Sequence, residues 1–168
     1  MTAGEAVKSV FSKWKDFEGR ASRSEYWWFI GFIVLASMIL SIVDGAIFGF
    51  PSQGQQQNGP ISAIFSLVIF IPTLAVLVRR FHDTGRSGWF ALLPAAISLI
   101  LVISLLLGIF ITGTVERHMG MPGHMGSILG ATGLMIYLIV SIVVGILMLY
   151  WLTRPSEPGP NSYGPPPV

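Results

Sequence analysis

Polar and apolar residues are segregated into blocks along this chain. Residues 26–43, 45–78, 87–115 and 118–153 contain no Asp, Glu, Lys or Arg. A helix needs about 20 apolar residues to cross the hydrocarbon core of a bilayer, and each block holds a run of that order. The runs predict four spans, at about 27–48, 61–78, 89–112 and 128–152. The second is the shortest and covers roughly 27 Å at the helical rise, which still spans. The runs are continuous and not alternating, which argues against a β-barrel. Residues 50–60 are rich in Gly, Gln and Pro and predict a polar turn, with 53–58 a flexible outer connection. Ahead of the first span, Ala3, Val7, Val10, Trp14 and Phe17 recur at steps of four and three, with Lys8, Lys13 and Lys15 beside or opposite them. That spacing predicts a short amphipathic helix in the membrane interface, a soluble cap under the helices being the alternative.

The fold class expected is therefore all-α: an integral membrane protein of four transmembrane helices with a short N-terminal amphipathic interfacial helix. Residues 1–153 form one membrane domain, and 154–168 a Pro-rich tail in which no helix can persist. Composition agrees. The chain has 168 residues, 52% of them hydrophobic and 11% charged, against about 25% charged in an average soluble domain. No Cys occurs, which excludes disulfides, thiolate metal sites and Cys nucleophiles. No cleavable leader is expected, because nine charges precede the first apolar run.

Charge sets an expected orientation. Lys8, Lys13, Lys15, Arg20, Arg23, Arg79, Arg80, Arg86 and Arg154 fall on one side of the four-span arrangement, and Arg117 alone on the other. The positive-inside rule then puts both termini in the cytoplasm. All five tryptophans map to that same interface, where indole rings are favoured.

Three stretches on this side stand out. The first carries Gly19, Arg20, Arg23, Glu25, Tyr26 and Trp27; the second Arg79, Arg80, His82, Asp83, Gly85, Gly88 and Trp89; the third Asn161, Tyr163 and Gly164. In this order around four spans, the chain resembles the bacterial inner-membrane family catalogued as domain of unknown function 805. The resemblance covers nearly the whole chain, and the Arg-Arg-x-His-Asp-x-Gly-x-x-Gly-Trp motif is its most specific part. It implies a small multi-span protein of the bacterial inner membrane and carries no activity.

The residues suggest a chemistry of their own. A nine-residue loop, 79–87, would confine Arg79, Arg80, His82, Asp83, Gly85 and Arg86 between two helix ends, with Ser87 as a candidate N-cap. Backbone donors and guanidiniums there make a candidate anion site. Arg20 and Arg23 could converge on it, with Glu25 and Asp83 orienting the arginines. The bland reading is a set of positive-inside arginines in a tight turn. His82 beside Asp83 invites an acid–base reading, but adjacent residues rarely face one another and no nucleophile is indicated except Thr84 or Ser87. His118, Met119, Met121, His124 and Met125 cluster in the outer loop, and thioether and imidazole ligands suit Cu(I), although the spacing fits no fixed geometry. Asp44 lies near the outer boundary of the first span and reads as an interface residue. Pro72 and Pro94 are expected to kink the second and third helices.

The function expected is a binding or scaffold module with a cytoplasmic basic site for an anion or lipid headgroup. A small transporter or pore subunit is the runner-up, and an enzyme acting on a lipid phosphate ranks third. The ligand expected is an anionic phospholipid headgroup or an acidic partner, and the partners expected are membrane lipids and a second copy or another membrane protein. No nucleic acid and no cofactor is expected.

Overall fold

The structure is a computed structural model that describes residues 1–50, 59–119 and 124–167, without the side chains of 111, 112, 115–119 and 124–130. Among the described residues five α-helices follow one another: α1 (Ala3–Ser12), α2 (Arg23–Phe48), α3 (Pro60–Asp83), α4 (Leu93–Met119) and α5 (His124–Thr153), with a 3-10 turn at Gly88–Leu92 before α4. Among the described residues, four helices are long and apolar enough to cross a membrane. The protein is an all-α integral membrane protein. The low-complexity stretch 53–58 lies outside the described residues.

The chain divides into two compact units, residues 1–91 with 152–168, and residues 92–151. In the first unit α2 and α3 form an antiparallel hairpin tied at both ends. The start of α2 is fixed by Ser22, whose Oγ accepts the Glu25 amide at 3.2 Å. Its end is marked by Gly49 at φ 89°. The start of α3 has Pro60 in the first turn and no side-chain cap from Gly59. Asp44 of the neighbouring helix supplies that cap. Its carboxylate accepts the amides of Ile61 at 3.0 Å and Ser62 at 2.8 Å, and the Ser62 hydroxyl at 2.6 Å. A carboxylate at a helix N-terminus meets unpaired donors and the positive end of the dipole. Asp44 is thus a buried capping residue, not a bare interface charge.

The predicted N-terminal helix is present but shorter than its pattern. Thr2 and Glu5 close a capping box at its start, and the Thr2 amide holds the Glu5 carboxyl below its usual range. The helix stops at Ser12, with Lys13 as C-cap, so Trp14 and Phe17 lie beyond it. Ala6 and Val10 are fully buried, while the Phe11 ring meets Phe29 and Phe32 of α2 edge-on at 5.8 and 6.2 Å.

The second unit holds α4 and most of α5. Large apolar side chains such as Leu99, Ile103 and Ile139 are exposed, as suits surfaces bathed in lipid. The hydroxyls of Ser98 and Ser104 donate to the carbonyls four residues back, at 2.9 and 2.7 Å, which satisfies them without water. Pro72 lies inside α3 as expected. Pro94 does not kink α4: it falls in the first turn, where a missing amide costs nothing.

Candidate functional site

The second motif is mostly helix, not loop. Arg79, Arg80, His82 and Asp83 occupy the last turn and a half of α3, and the connection shrinks to residues 84–87. The helix ends in a paired turn. The Gly85 amide donates to the His82 carbonyl at 3.1 Å and the Arg86 amide to the Phe81 carbonyl at 3.0 Å. That is the geometry of a Schellman motif, which needs a left-handed residue after the cap. Gly85 supplies it at φ 69°. Ser87 caps the 3-10 turn and not α4, accepting the Trp89 amide at 3.4 Å.

Asp83 stands at the centre. Its Oδ1 accepts Arg20 Nε at 2.9 Å, and its Oδ2 is ion-paired with Arg80. Arg20 reaches onward to the tail, donating to the carbonyls of Gly159 and Glu157, each at 2.7 Å. Arg80 donates from Nε and Nη2 to the Leu152 carbonyl at 3.1 Å, and from Nη2 to that of Arg154. It thereby serves the unpaired carbonyls and negative dipole at the end of α5. Beside this group, Arg79 Nη1 pairs with Glu25 at 3.2 Å, and Ser9 of α1 donates to the same carboxylate oxygen at 3.0 Å. Arg79 Nε and Nη2 have no hydrogen-bond partner among the described residues.

The tail closes over this cluster. The His82 ring stacks on Tyr163, with centroids 3.9 Å apart and planes 3° from parallel. Its Nδ1 lies 3.2 Å from the Gly19 carbonyl, a contact that assigns the proton to Nδ1. Asn161 donates to the His82 carbonyl at 3.0 Å and to Glu157 at 2.9 Å, and its own Oδ1 accepts the Tyr163 amide at 2.9 Å. A backbone pair with Gly164 holds the turn, and the Glu157 amide donates to the Asp83 carbonyl at 3.1 Å. The tail is thus folded against α3 and not free.

The three motif stretches therefore meet. Arg20, Arg79, Arg80, His82, Asp83 and Gly85 come together with Asn161, Tyr163 and Gly164. The arginines do not line an open loop, however. Arg79 and Arg80 are 1% and 0% exposed and Arg20 is 7%, so their guanidiniums face carboxylates and carbonyls inside the protein. Charge marks a helix end only where it must be solvated, whereas here Arg80 pairs with Asp83 within α3 and Arg79 pairs with Glu25 of α2. Arg86 turns back on its own segment, donating to the Thr84 carbonyl at 2.9 Å. Arg23 is exposed and donates to the Thr153 carbonyl at 3.4 Å.

Sequence reasoning missed the groove in which Arg23 stands. This groove, of about 770 Å³, opens at the first turn of α2. Ser22, Ser24, Thr153 and Ser156 line it together with Trp27 and Trp28. Sequence distance hid Thr153 and Ser156, and Glu157 carried no motif. The Met and His candidates His118, Met119, Met121, His124 and Met125 have side chains outside the described residues.

The chain is 38% identical over 84 residues to the inner membrane protein YhaH of Escherichia coli, covering 50% of this chain and 67% of that protein. It is 36% identical over 85 residues to the inner membrane protein YhaI of the same species, covering 51% and 66%. It is also 36% identical over 83 residues to the uncharacterized protein YiiR, covering 46% and 47%. No solved structure matches the chain. A family model described as protein of unknown function, DUF805, matches residues 14–165. That match begins just after α1, ends in the tail and takes in all three convergent stretches, and the chain belongs to the DUF805 family.

Proposed function

We propose that this protein is a binding or scaffold module of the bacterial inner membrane whose basic end takes the headgroup of an anionic phospholipid. The observation that carries this reading is the groove at the start of α2. Arg23 offers a guanidinium, whose paired donors suit phosphate, and Ser22, Ser24, Thr153 and Ser156 line the same space. Trp27 and Trp28 are 37% and 51% exposed, as indole rings at headgroup level are. Arg20 supports the site from behind by holding the tail, Arg80 by holding the end of α5 and Arg79 by pairing with Glu25 in the first turn of α2, and none of the three contacts the ligand.

The test is native mass spectrometry of protein released from nanodiscs of phosphatidylglycerol or phosphatidylcholine, with inorganic phosphate as a separate arm. Wild type should retain the anionic lipid. Arg23→Ala should bind it about tenfold or more weakly, as expected for a charge-assisted hydrogen bond of about 1.5–3 kcal/mol. Arg23→Lys should recover only part of the loss. Retention of phosphate alone would make the ligand a free anion. Equal retention by all variants would defeat the reading.

The basic end is proposed to face the cytoplasm, on the nine-to-one division of Lys and Arg. Reporter fusions after residues 55 and 120 should then read external, and fusions after residue 84 and at the C-terminus cytoplasmic. A cytoplasmic signal at residue 120 would overturn the four-span threading.

A further inference from the structure

The corner between α1 and α2 has exposed aromatic side chains that the groove does not use. Phe11, Trp14 and Phe17 are 40%, 48% and 37% exposed. Lys13 and Lys15 stand exposed among them, with the Lys15 ammonium 5.9 Å from the Trp14 ring. The residues that turn inward are different ones: the apolar Ala6 and Val10 are fully buried, and the Ser9 hydroxyl donates to Glu25. Packing and exposure have thus divided the apolar positions of this segment into two sets.

The depth of the second set follows from α2. Its 26 residues extend about 39 Å at the helical rise, and the hydrocarbon core is about 30 Å thick. Centred on that core, α2 enters hydrocarbon roughly three residues past Arg23, near Tyr26. Phe29 and Phe32 then lie below the boundary, and they are the residues against which the Phe11 ring rests. The C-terminal end of α1 is held down the side of a membrane span, while Thr2 and Glu5 stand at its polar, capped start.

We infer that the corner from Phe11 to Phe17 is embedded in the leaflet at the start of α2, with its aromatic rings against acyl chains and its lysines at anionic headgroups. Lysine stems can lie along apolar surface while their ammonium groups reach the headgroup layer, and Trp suits the same boundary. The occupant is a lipid surface and not a protein partner, because the corner lies beside a helix that itself spans lipid. The inference is independent of the groove at Arg23, whose failure would leave it standing.

The absence of Cys gives single-cysteine labelling a clean background. Spin labels at Trp14→Cys, Phe17→Cys and Glu5→Cys would be measured in nanodiscs containing phosphatidylglycerol. At positions 14 and 17, collision with oxygen should exceed collision with a water-soluble nickel chelate, and the order should reverse at position 5. Lys13→Gln combined with Lys15→Gln should shift the label at position 17 toward water in anionic discs, and less so in zwitterionic ones. Chelate access at positions 14 and 17 equal to that at position 5 would overturn the inference. So would a label immobilised yet shielded from both reagents, the sign of a protein partner. Any variant that loses the wild-type elution profile is replaced by a label at Asp16, which is exposed in the same corner and should report the boundary between the two regimes.

Discussion

Asp83→Ala should lower stability by about 3–5 kcal/mol, the range for removing one partner of a buried ion pair. Asp83 is fully buried and serves two guanidiniums, those of Arg20 and Arg80. Removing it leaves both cations without a carboxylate in a place that water does not reach. The cluster is already short of anions, since Arg20, Arg79 and Arg80 face only Glu25 and Asp83 among its buried carboxylates. The loss should spread, because Arg20 also holds the tail and Arg80 the end of α5. Thermal unfolding in detergent, with limited proteolysis of the tail, measures both parts. Asp83→Asn should lie between wild type and alanine, as it keeps an acceptor but no charge. A double-mutant cycle between Arg20 and Asp83 should give a coupling of about 0.5–3 kcal/mol. An unchanged melting temperature for Asp83→Ala would mean that the pairs are decorative.

Gly85→Val should also be damaging without altering any charge. The residue sits at φ 69°, where a side chain costs about 1–2 kcal/mol, and more for a β-branched one. A Cβ there would also collide with the carboxylate of Glu157. Displacing Glu157 disturbs its bond from Asn161 and, through Asn161, the Tyr163 turn. The backbone strain should cost about 1–2 kcal/mol or more, while the exposed Glu157 side chain moves aside. Gly85→Ala should show a smaller loss, and both variants should free the tail to proteases before the helices melt. A tail as resistant as wild type would refute the role given to this glycine.

The spans were legible because burial in lipid demands long uncharged runs, and that demand is written residue by residue. Their ends were not. Arg23, Glu25, Arg79, Arg80 and Asp83 lie inside α2 and α3, and a rule that reads charge as solvent exposure stops short of them. Such charges can remain helical because they meet opposite charges or carbonyls from elsewhere in the chain. Trp14 and Phe17 show the converse error: they keep the helical period of α1 but follow its C-cap. The meeting of Arg20 with Asp83 was anticipated from the shortness of the connection between α3 and the next span. The stacking of His82 on Tyr163 was not, since no local pattern links a helix end to a tail so distant in sequence. The groove at Arg23 was hidden for the same reason, half of its Ser and Thr residues, Thr153 and Ser156, lying far along the chain.

The α2–α3 hairpin is pinned by Asp44 on the amides of Ile61 and Ser62 at one end and by Glu25 on Arg79 at the other. Two fasteners that far apart act as a vernier on helix register. Sliding α3 by one turn, about 5.4 Å, would release both at once. Lengthening α3 by one residue between them would rotate one end by about 100° relative to the other, so only one fastener could close. The hairpin therefore behaves as a strut of set length and phase.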